Sequence, residues 1–318
     1  MYGAPATAHS VGPASAALYV QTFGGFRLYR AGCPVPAAGW RRQSAKYLLV
    51  RLLLADGRPV PKPDLLGTFW PEIPEAAAAN RLRVTLHALR RVLQPGLPAH
   101  RPSAYLVVNR HECSLPAHPD LRWDGGDLDR GVVRAAAAPE PRAEATALHH
   151  ALAGVAGPWL PEVDAFGVFV SARFRLHQQA TEAALRLAEL SLDHGAPADA
   201  EAAAARAIAV DPGIEQAYAL LLRAAGATGR PGRVRRAYDY SCTQLREHAD
   251  VEPGPALRRA AEEALTAAGS GLGRPGAFYT VGAPPASLPA GRRPSGTVLG
   301  ASEANSPAAA KESRARTR

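Results

Sequence analysis

The stretch Asn80-Arg-Leu-Arg-Val-Thr-Leu-His-Ala-Leu-Arg-Arg-Val-Leu93 decides the fold of the N-terminal half. Its leucines recur every three or four residues, the spacing that puts side chains on one face of an α-helix. We therefore expect a helix from about Glu75 to Gln94, stopped by Pro95-Gly96, whose leucine stripe faces a core. The stripe consists of Leu82, Leu86, Leu89 and Leu93, the opposite face presents Asn80, Val84, His87 and Arg91, and Arg81, Arg83 and Arg90 lie on the shoulders.

Shorter patterns surround this helix on both sides. Alternating apolar residues around the turn Gly24-Gly25 predict two strands, and two apolar runs predict two more helices. A second pair of alternating segments around Asn109-Arg-His111 predicts a hairpin. The predicted bounds are 18–23 and 26–29 for the strands, 43–55 and 63–69 for the helices, and 105–108 with 112–115 for the hairpin. A small antiparallel sheet, three helices and a hairpin, in that order, indicate a winged helix-turn-helix.

Beyond about residue 120 the sequence predicts helices only, at 143–155, 164–194, 198–210, 214–228 and 233–249. The segments that begin at Gly195 and Gly229 resemble each other and start 34 residues apart, which is the period of a tetratricopeptide helix pair. The whole chain is therefore predicted to be mainly α. A winged helix domain (18–118) precedes an all-α, tetratricopeptide-like domain (119–269), and disordered tails lie at 1–17 and 270–318.

Composition narrows the class of protein. The 318 residues carry a net charge of +9, and residues 40–112 contain twelve basic side chains against five acidic ones. Such an excess favours a polyanionic partner. Three widely spaced cysteines give neither a disulfide scaffold nor a metal site, and no apolar run is long enough to cross a membrane. We expect a cytoplasmic, nucleoid-associated protein without cofactor or metal.

The residue types on the outer face of the arginine-rich helix fit the major groove of double-stranded DNA. Arginine binds guanine through two hydrogen bonds, asparagine binds adenine, and a valine methyl contacts the thymine methyl. Arginines on the shoulders suit phosphates, which fix register without reading sequence. The alternative is a solvated helix face, but such faces usually mix signs, whereas residues 80–93 hold four arginines and no acid. We therefore predict that the outward and shoulder residues bind DNA.

Four further cations are candidate supporting contacts. Arg110, at the tip of the predicted hairpin, is placed to enter a minor groove. Arg41, Arg42 and Lys46, at the start of the first helix, are placed to meet backbone phosphates. The alternative for each of these four residues is an ordinary surface charge that makes no DNA contact.

Several runs, taken together and in order, resemble the Streptomyces antibiotic regulatory protein family, which joins an OmpR-type winged helix to a bacterial transcriptional activator domain. The resemblance covers about residues 18–265 and omits two family features, since Pro61 stands at a usual capping Ser or Thr and Ala249-Asp250 replaces Leu-Gly. The matching runs are Phe23-Gly-Gly-Phe-Arg-Leu28, Arg42-Gln-Ser-Ala-Lys-Tyr-Leu-Leu49, Asp64-Leu-Leu-Gly-Thr-Phe-Trp-Pro71, Asn80 to Arg90, Gly157-Pro-Trp-Leu-Pro161, Asp211-Pro212 and Val251-Glu-Pro-Gly-Pro255.

The resemblance implies an activator of a secondary-metabolite gene cluster. Protomers of such a protein bind direct repeats side by side as a homo-oligomer and recruit RNA polymerase. Repression by promoter occlusion stays open, because DNA-binding residues do not reveal the sign of regulation, and so does a helical-repeat scaffold that docks protein. No catalytic residues are expected, since His149-His150 and the nearby acids have no catalytic spacing. The absence of a receiver segment predicts a stand-alone form without control by phosphorylation.

Overall fold

A computed structural model describes residues 16–36, 39–40, 42–98, 100–163 and 167–269. Arg41 and, apart from residues 16 and 17, both predicted tails lie outside these ranges. The fold is mainly helical, with a winged helix-turn-helix followed by a helical domain, so the predicted fold class is confirmed. None of the described helices is long and apolar enough to cross a membrane.

The N-terminal half follows the predicted order of elements, with short additional strands. It consists of β1 (Leu18–Gln21), β2 (Arg27–Arg30), β3 (Cys33–Pro34), α1 (Gln43–Leu53), β4 (Val60–Pro61), α2 (Lys62–Phe69), α3 (Glu75–Leu93), β5 (Val107–Val108) and β6 (Glu112–Ser114). Strands β4, β6 and β5 form an antiparallel sheet, and the hairpin of β5 and β6 is the wing.

The C-terminal half begins with one strand and continues in helices. Its elements are β7 (Leu121–Trp123), α4 (Asp124–Ala136), α5 (Pro141–Ala151), a short 3-10 turn (Leu152–Gly154), α6 (Gly167–Asp193), α7 (Pro197–Val210), α8 (Glu215–Ala227), α9 (Pro231–Ala249) and α10 (Pro255–Gly269). Helices α4 and α10 were not predicted. Gly125 and Gly126 lie near the start of α4. Because glycine disfavours helix, the local sequence did not predict α4.

Strand β7 corrects the expectation of helices alone after residue 120. It pairs in parallel with β1, with Leu18 opposite Leu121 and Val20 opposite Trp123, in a sheet ordered β3-β2-β1-β7. Three residues are too few to show an alternating pattern, and the partner strand lies about a hundred residues earlier in the chain. The strand therefore comes from tertiary pairing rather than from a local signal.

The carboxylate of Asp124 fixes the junction between the two halves. It is fully buried at the start of α4 and accepts hydrogen bonds from the backbone N–H groups of Thr22 (2.5 Å) and Phe23 (2.7 Å), just after β1. The Thr22 hydroxyl and the Gly125 N–H donate to the other carboxylate oxygen, at 2.5 and 2.8 Å. Burial raises the pKa of Asp124 to about 6, although these four donors favour the ionised form.

Aromatic packing completes the junction. Phe169, near the start of α6, lies 6.3 Å from the ring of Tyr47 in α1 and 6.5 Å from that of Phe69 in α2. The ring of Trp159 contacts Phe169 at 6.1 Å, and its backbone bridges to Phe23. The backbone N–H of Trp159 donates to His177 Nε2 at 2.7 Å, which requires that this nitrogen be unprotonated. Helices α1 and α2 are thus packed directly on the helical half.

The helical half repeats one turn geometry. Gly195 before α7 and Gly229 before α9 both have φ of +68°, and each is followed two residues later by the proline that opens the next helix. The 34-residue spacing therefore recurs in the backbone, while assignment to the tetratricopeptide class stays a prediction. At the end of α9, Asp250 adopts the left-handed cap (φ 54°) where the family pattern has glycine.

The buried Asp124 predicts an unusual pH dependence of stability. Because its pKa is about 6 in the folded chain and about 3.8 when unfolded, the folded state holds more protons between these values. The free energy of unfolding should therefore fall by roughly 2 kcal/mol through this group as pH rises from about 4 to about 6.5. Urea unfolding of the wild-type chain and of Asp124→Asn across this range measures the difference, which the variant should lack.

The matched control is Asp129→Asn, one turn further along α4, whose carboxylate forms a partly exposed ion pair with Arg175. This variant should keep the wild-type decrease in stability. An Asp124→Asn curve parallel to that of the wild type would contradict the account of the junction.

Candidate nucleic-acid interface

Helix α3 lies with the predicted leucine stripe in the core. Leu82, Leu86, Leu89 and Leu93 are each less than a tenth exposed, so the predicted inward face is confirmed. The opposite side is open to solvent and carries the predicted polar residues. Asn80, Arg81, Arg83, His87 and Arg91 are exposed, and Val84 and Arg90 are half-buried.

A groove of about 720 Å³, here called the wing groove, separates α3 from the wing. Its floor is apolar, formed by residues such as Leu82, Leu86 and Leu106, and its rim is basic. None of its lining residues is an aspartate or glutamate. The rim cations are Lys62, Arg83, Arg90, Arg101 and Arg110.

A second concave surface of about 900 Å³, here called the α1 groove, lies on the other flank of α3. Arg30, Arg42 and Arg91 line it, again without a carboxylate, and Val84 and Trp40 contribute apolar wall. His87 lines both grooves, so it lies on the ridge between them. The arrangement is a convex helix ridge flanked by two basic concavities.

The cations of this surface are not neutralised within the chain. Among the described residues, Arg81, Arg83, Arg91 and Arg110 form no ion pair with a carboxylate, and the Arg83 guanidinium donates instead to Asn80 Oδ1 at 2.8 Å. The helical half differs, because many of its arginines do have carboxylate partners. Those pairs are Arg122 and Arg130 with Asp127, Arg175 with Asp129, Arg186 with Glu144, Arg233 with Glu201 and Arg246 with Glu252. Unpaired surface cations are available for a polyanion.

Arg90 has a different setting from the other predicted contact residues. Its guanidinium donates to the carbonyl of Pro98 at 2.8 Å and to the carbonyl of Arg101. The side chain of Gln94 supports the same loop, since its Oε1 accepts hydrogen bonds from the Ser103 hydroxyl and the Ala104 N–H. Arg90 therefore holds the α3–β5 loop against the end of the helix.

Sequence reasoning missed three basic residues that line the grooves, Lys62, Arg101 and Arg30. Arg101 lies in a loop without periodicity, so only the tertiary clamp by Arg90 brings it to the wing groove. Arg30 ends β2, and its guanidinium donates to the carbonyl of Val92 in the last turn of α3, where a cation is favourable. Arg101 was counted among the basic residues between 40 and 112, but its position beside α3 could not be predicted from the sequence.

The predicted contacts at the start of α1 lie beside the α1 groove. Arg42 precedes the helix and is exposed, and no side chain caps the N–H groups of the first turn. The Lys46 ammonium lies 5.7 Å from the Phe26 ring centroid and 6.0 Å from that of Trp40, a cation–π arrangement. Arg41 lies outside the described residues.

Comparison with known proteins identifies the second half of the chain. Residues 126–265 match the family model of the bacterial transcriptional activator domain. The match begins two residues after Asp124, so the junction carboxylate lies at its edge.

Two relatives extend the likeness to the N-terminal half. Regulatory protein AfsR of Streptomyces coelicolor is 27% identical over 267 residues, covering 80% of this chain and 25% of the relative. The chain thus spans about a quarter of the length of that protein. EmbR of Mycobacterium tuberculosis, solved with a low affinity phosphopeptide, shares the fold with a TM-score of 0.54 at 22% identity, covering 80% of this chain and 70% of that one. These matches confirm the resemblance drawn from the sequence runs.

The contacts of Arg90 predict a local effect of its removal. Arg90→Met keeps the apolar stem but removes both hydrogen bonds to the loop carbonyls, so amide hydrogen exchange in residues 97–105 should accelerate at least about tenfold. Arg91→Met, at the neighbouring exposed arginine, is the control and should leave exchange there unchanged. Equal exchange in the two variants would argue against the clamp.

Proposed function

We propose that this chain is a sequence-specific DNA-binding transcription regulator that lays α3 in the major groove. The observation that carries the proposal is the set of arginines on the α3 ridge and wing without carboxylate partners, beside a helical half in which six of the sixteen described arginines have such partners. Cations left unpaired in this way gain free energy by displacing counterions from DNA. A convex helix between two basic grooves also matches the shape of a duplex whose phosphate strands flank the major groove.

Distinct roles follow from position on the surface. Asn80, Val84 and His87 on the outward face of α3, with Arg83 on its shoulder, are proposed to contact base edges. Arg91, at the C-terminal end of that face, and Arg81 on the other shoulder are proposed to contact phosphates, as are Arg42, Lys46 and Arg41 near α1. Arg110 on the wing is proposed to reach the minor groove. Arg90 contributes by holding the loop that carries Arg101, itself a proposed phosphate contact.

The activator domain suggests the outcome of binding. We propose that the protein activates transcription of a secondary-metabolite gene cluster from the cytoplasm, binding direct repeats as a homo-oligomer and recruiting RNA polymerase. Support comes from the match of residues 126–265 and from the likeness to a protein named as a regulator. The packing of Phe169 against α1 and α2 provides a rigid route by which the DNA-bound half orients the helical half.

The ridge and its flank should respond differently to mutation. His87→Ala should weaken binding to the cognate promoter by about tenfold while changing binding to random DNA little, because base contacts give discrimination. Arg91→Ala should weaken both and lower the slope of log K against log salt by about one, as loss of one phosphate contact does. Fluorescence anisotropy at several salt concentrations measures both effects.

The control is Arg134→Ala, which removes an exposed arginine from α4 in the helical half. It should leave affinity and salt slope at wild-type values. If all three variants bind alike, α3 has no part in DNA binding.

The sign of regulation needs a separate experiment. Mapping of bound sites in the source bacterium, combined with transcript levels in strains that carry the wild-type gene or the His87→Ala variant, should show lower transcription of bound genes in the variant strain. Higher transcription of those genes would instead make the protein a repressor. Occupied sites containing direct repeats would support side-by-side binding of protomers.

A further inference from the structure

The tip of the wing is tied to α2 through the side chain of Lys62, in addition to the pairing of β4 with β6 at the base of the wing. Lys62 is the first residue of α2, and its ammonium donates to the carbonyls of Asn109 at 2.6 Å and Arg110 at 3.3 Å, at the tip of the wing. The Lys62 backbone N–H donates to the carbonyl of His111 at 2.8 Å. Three consecutive wing carbonyls therefore converge on a single residue of α2.

This position is an unfavourable one for a cation in electrostatic terms. The N-terminal end of a helix carries partial positive charge, so an ammonium there is repelled, and the preceding Pro61 offers no side-chain cap. Hydrogen bonds from an ammonium to carbonyls are stronger than neutral ones and offset this repulsion. The contact is also reciprocal, because the wing carbonyl of His111 satisfies a first-turn N–H of α2 that no side chain caps.

The turn at the tip of the wing is rigid in itself. Asn109 Oδ1 accepts hydrogen bonds from the N–H groups of His111 and Glu112, both at 2.9 Å, and Asn109 Nδ2 donates to the Glu112 carboxylate at 2.9 Å. Arg110 sits within this turn with an exposed side chain that no described carboxylate pairs. The pairing of β4 with β6 fixes the base of the wing beside α2, and Lys62 adds the contact that holds its tip.

We propose that Lys62 is a positioning residue that sets the distance between Arg110 on the wing and the α3 ridge. This inference rests on the proposed DNA-binding function, since it assigns Lys62 to the register between a major-groove and a minor-groove contact. The ammonium of Lys62 donates to wing carbonyls, and Arg110 makes the DNA contact. The charged ammonium of Lys62 affects DNA binding only by holding Arg110 in position, and Lys62 does not contact a phosphate itself.

The test compares Lys62→Met, which keeps the stem and loses the ammonium, with Lys62→Arg, which keeps donors for the carbonyls. In the full-length free chain, hydrogen exchange over residues 107–114 should be faster in Lys62→Met and close to wild type in Lys62→Arg. Urea midpoints near the wild-type value would establish that both variants are folded. Unchanged exchange in a folded Lys62→Met would overturn the proposal.

DNA binding supplies the second readout through a double-mutant cycle with Arg110→Ala. Lys62→Met should weaken promoter binding about tenfold in the wild-type background, and less than twofold when Arg110 is already alanine. The salt slope should fall by about one in each single variant and by no more in the double variant. If the salt slope of the double variant falls by about two, Lys62 is itself a phosphate contact and the positioning role is refuted.

The two proposals fail in different ways. A wild-type chain that binds no promoter DNA, with exchange still accelerated in Lys62→Met, would refute the proposed function and leave Lys62 as an anchor of the wing only, which also overturns its role in DNA register. Normal DNA binding with unchanged exchange and an additive cycle would refute the positioning role alone.

Discussion

The hydrogen bonds to the Asp124 carboxylate join the end of β1 to the beginning of α4, and the relative orientation of the two halves depends on them. Removing a carboxylate from water is costly, and four donors converge on this one to offset the cost. The adjacent pairing of β7 with β1 and the ring of Phe169 against α1 and α2 extend the same junction. The winged helix is therefore joined to the helical half through β7, which runs directly into α4.

Charge is distributed over the molecule in two distinct ways. In the helical half, six of the sixteen described arginines between residues 121 and 269 form ion pairs with carboxylates. Around α3 and the wing, arginines either stand without carboxylates or bind backbone carbonyls, as Arg30 does. The second group shows that not every cation near a basic surface is a ligand-binding group. The side chains of Arg90 and Lys62 donate hydrogen bonds to loop carbonyls, and these bonds determine where Arg101 and Arg110 lie.

The parts of this structure that sequence could predict are those with a local signal. The stripe of Leu82, Leu86, Leu89 and Leu93 predicted both the helix and its buried side, because helical period alone dictates which residues share a face. Strand β7 could not be found, since its three residues become a strand only beside β1. The contacts of Arg90 could not be found either, because they depend on how the thirteen-residue loop between α3 and β5 returns to the helix. Arg101 was missed for the same reason.

The parallel pairing of β1 with β7 also bears on the order of events during synthesis. Strand β1 has β2 as a neighbour at once, but its other edge and the N–H groups of Thr22 and Phe23 must wait until residues 121–124 have left the ribosome. Contacts between segments so far apart in sequence are slow to form, since a long loop must close first. Helix α3 is complete about thirty residues before that closure. A nascent chain therefore displays a basic helix on an unfinished sheet, and native geometry arises only once the first residues of the activator half have been made.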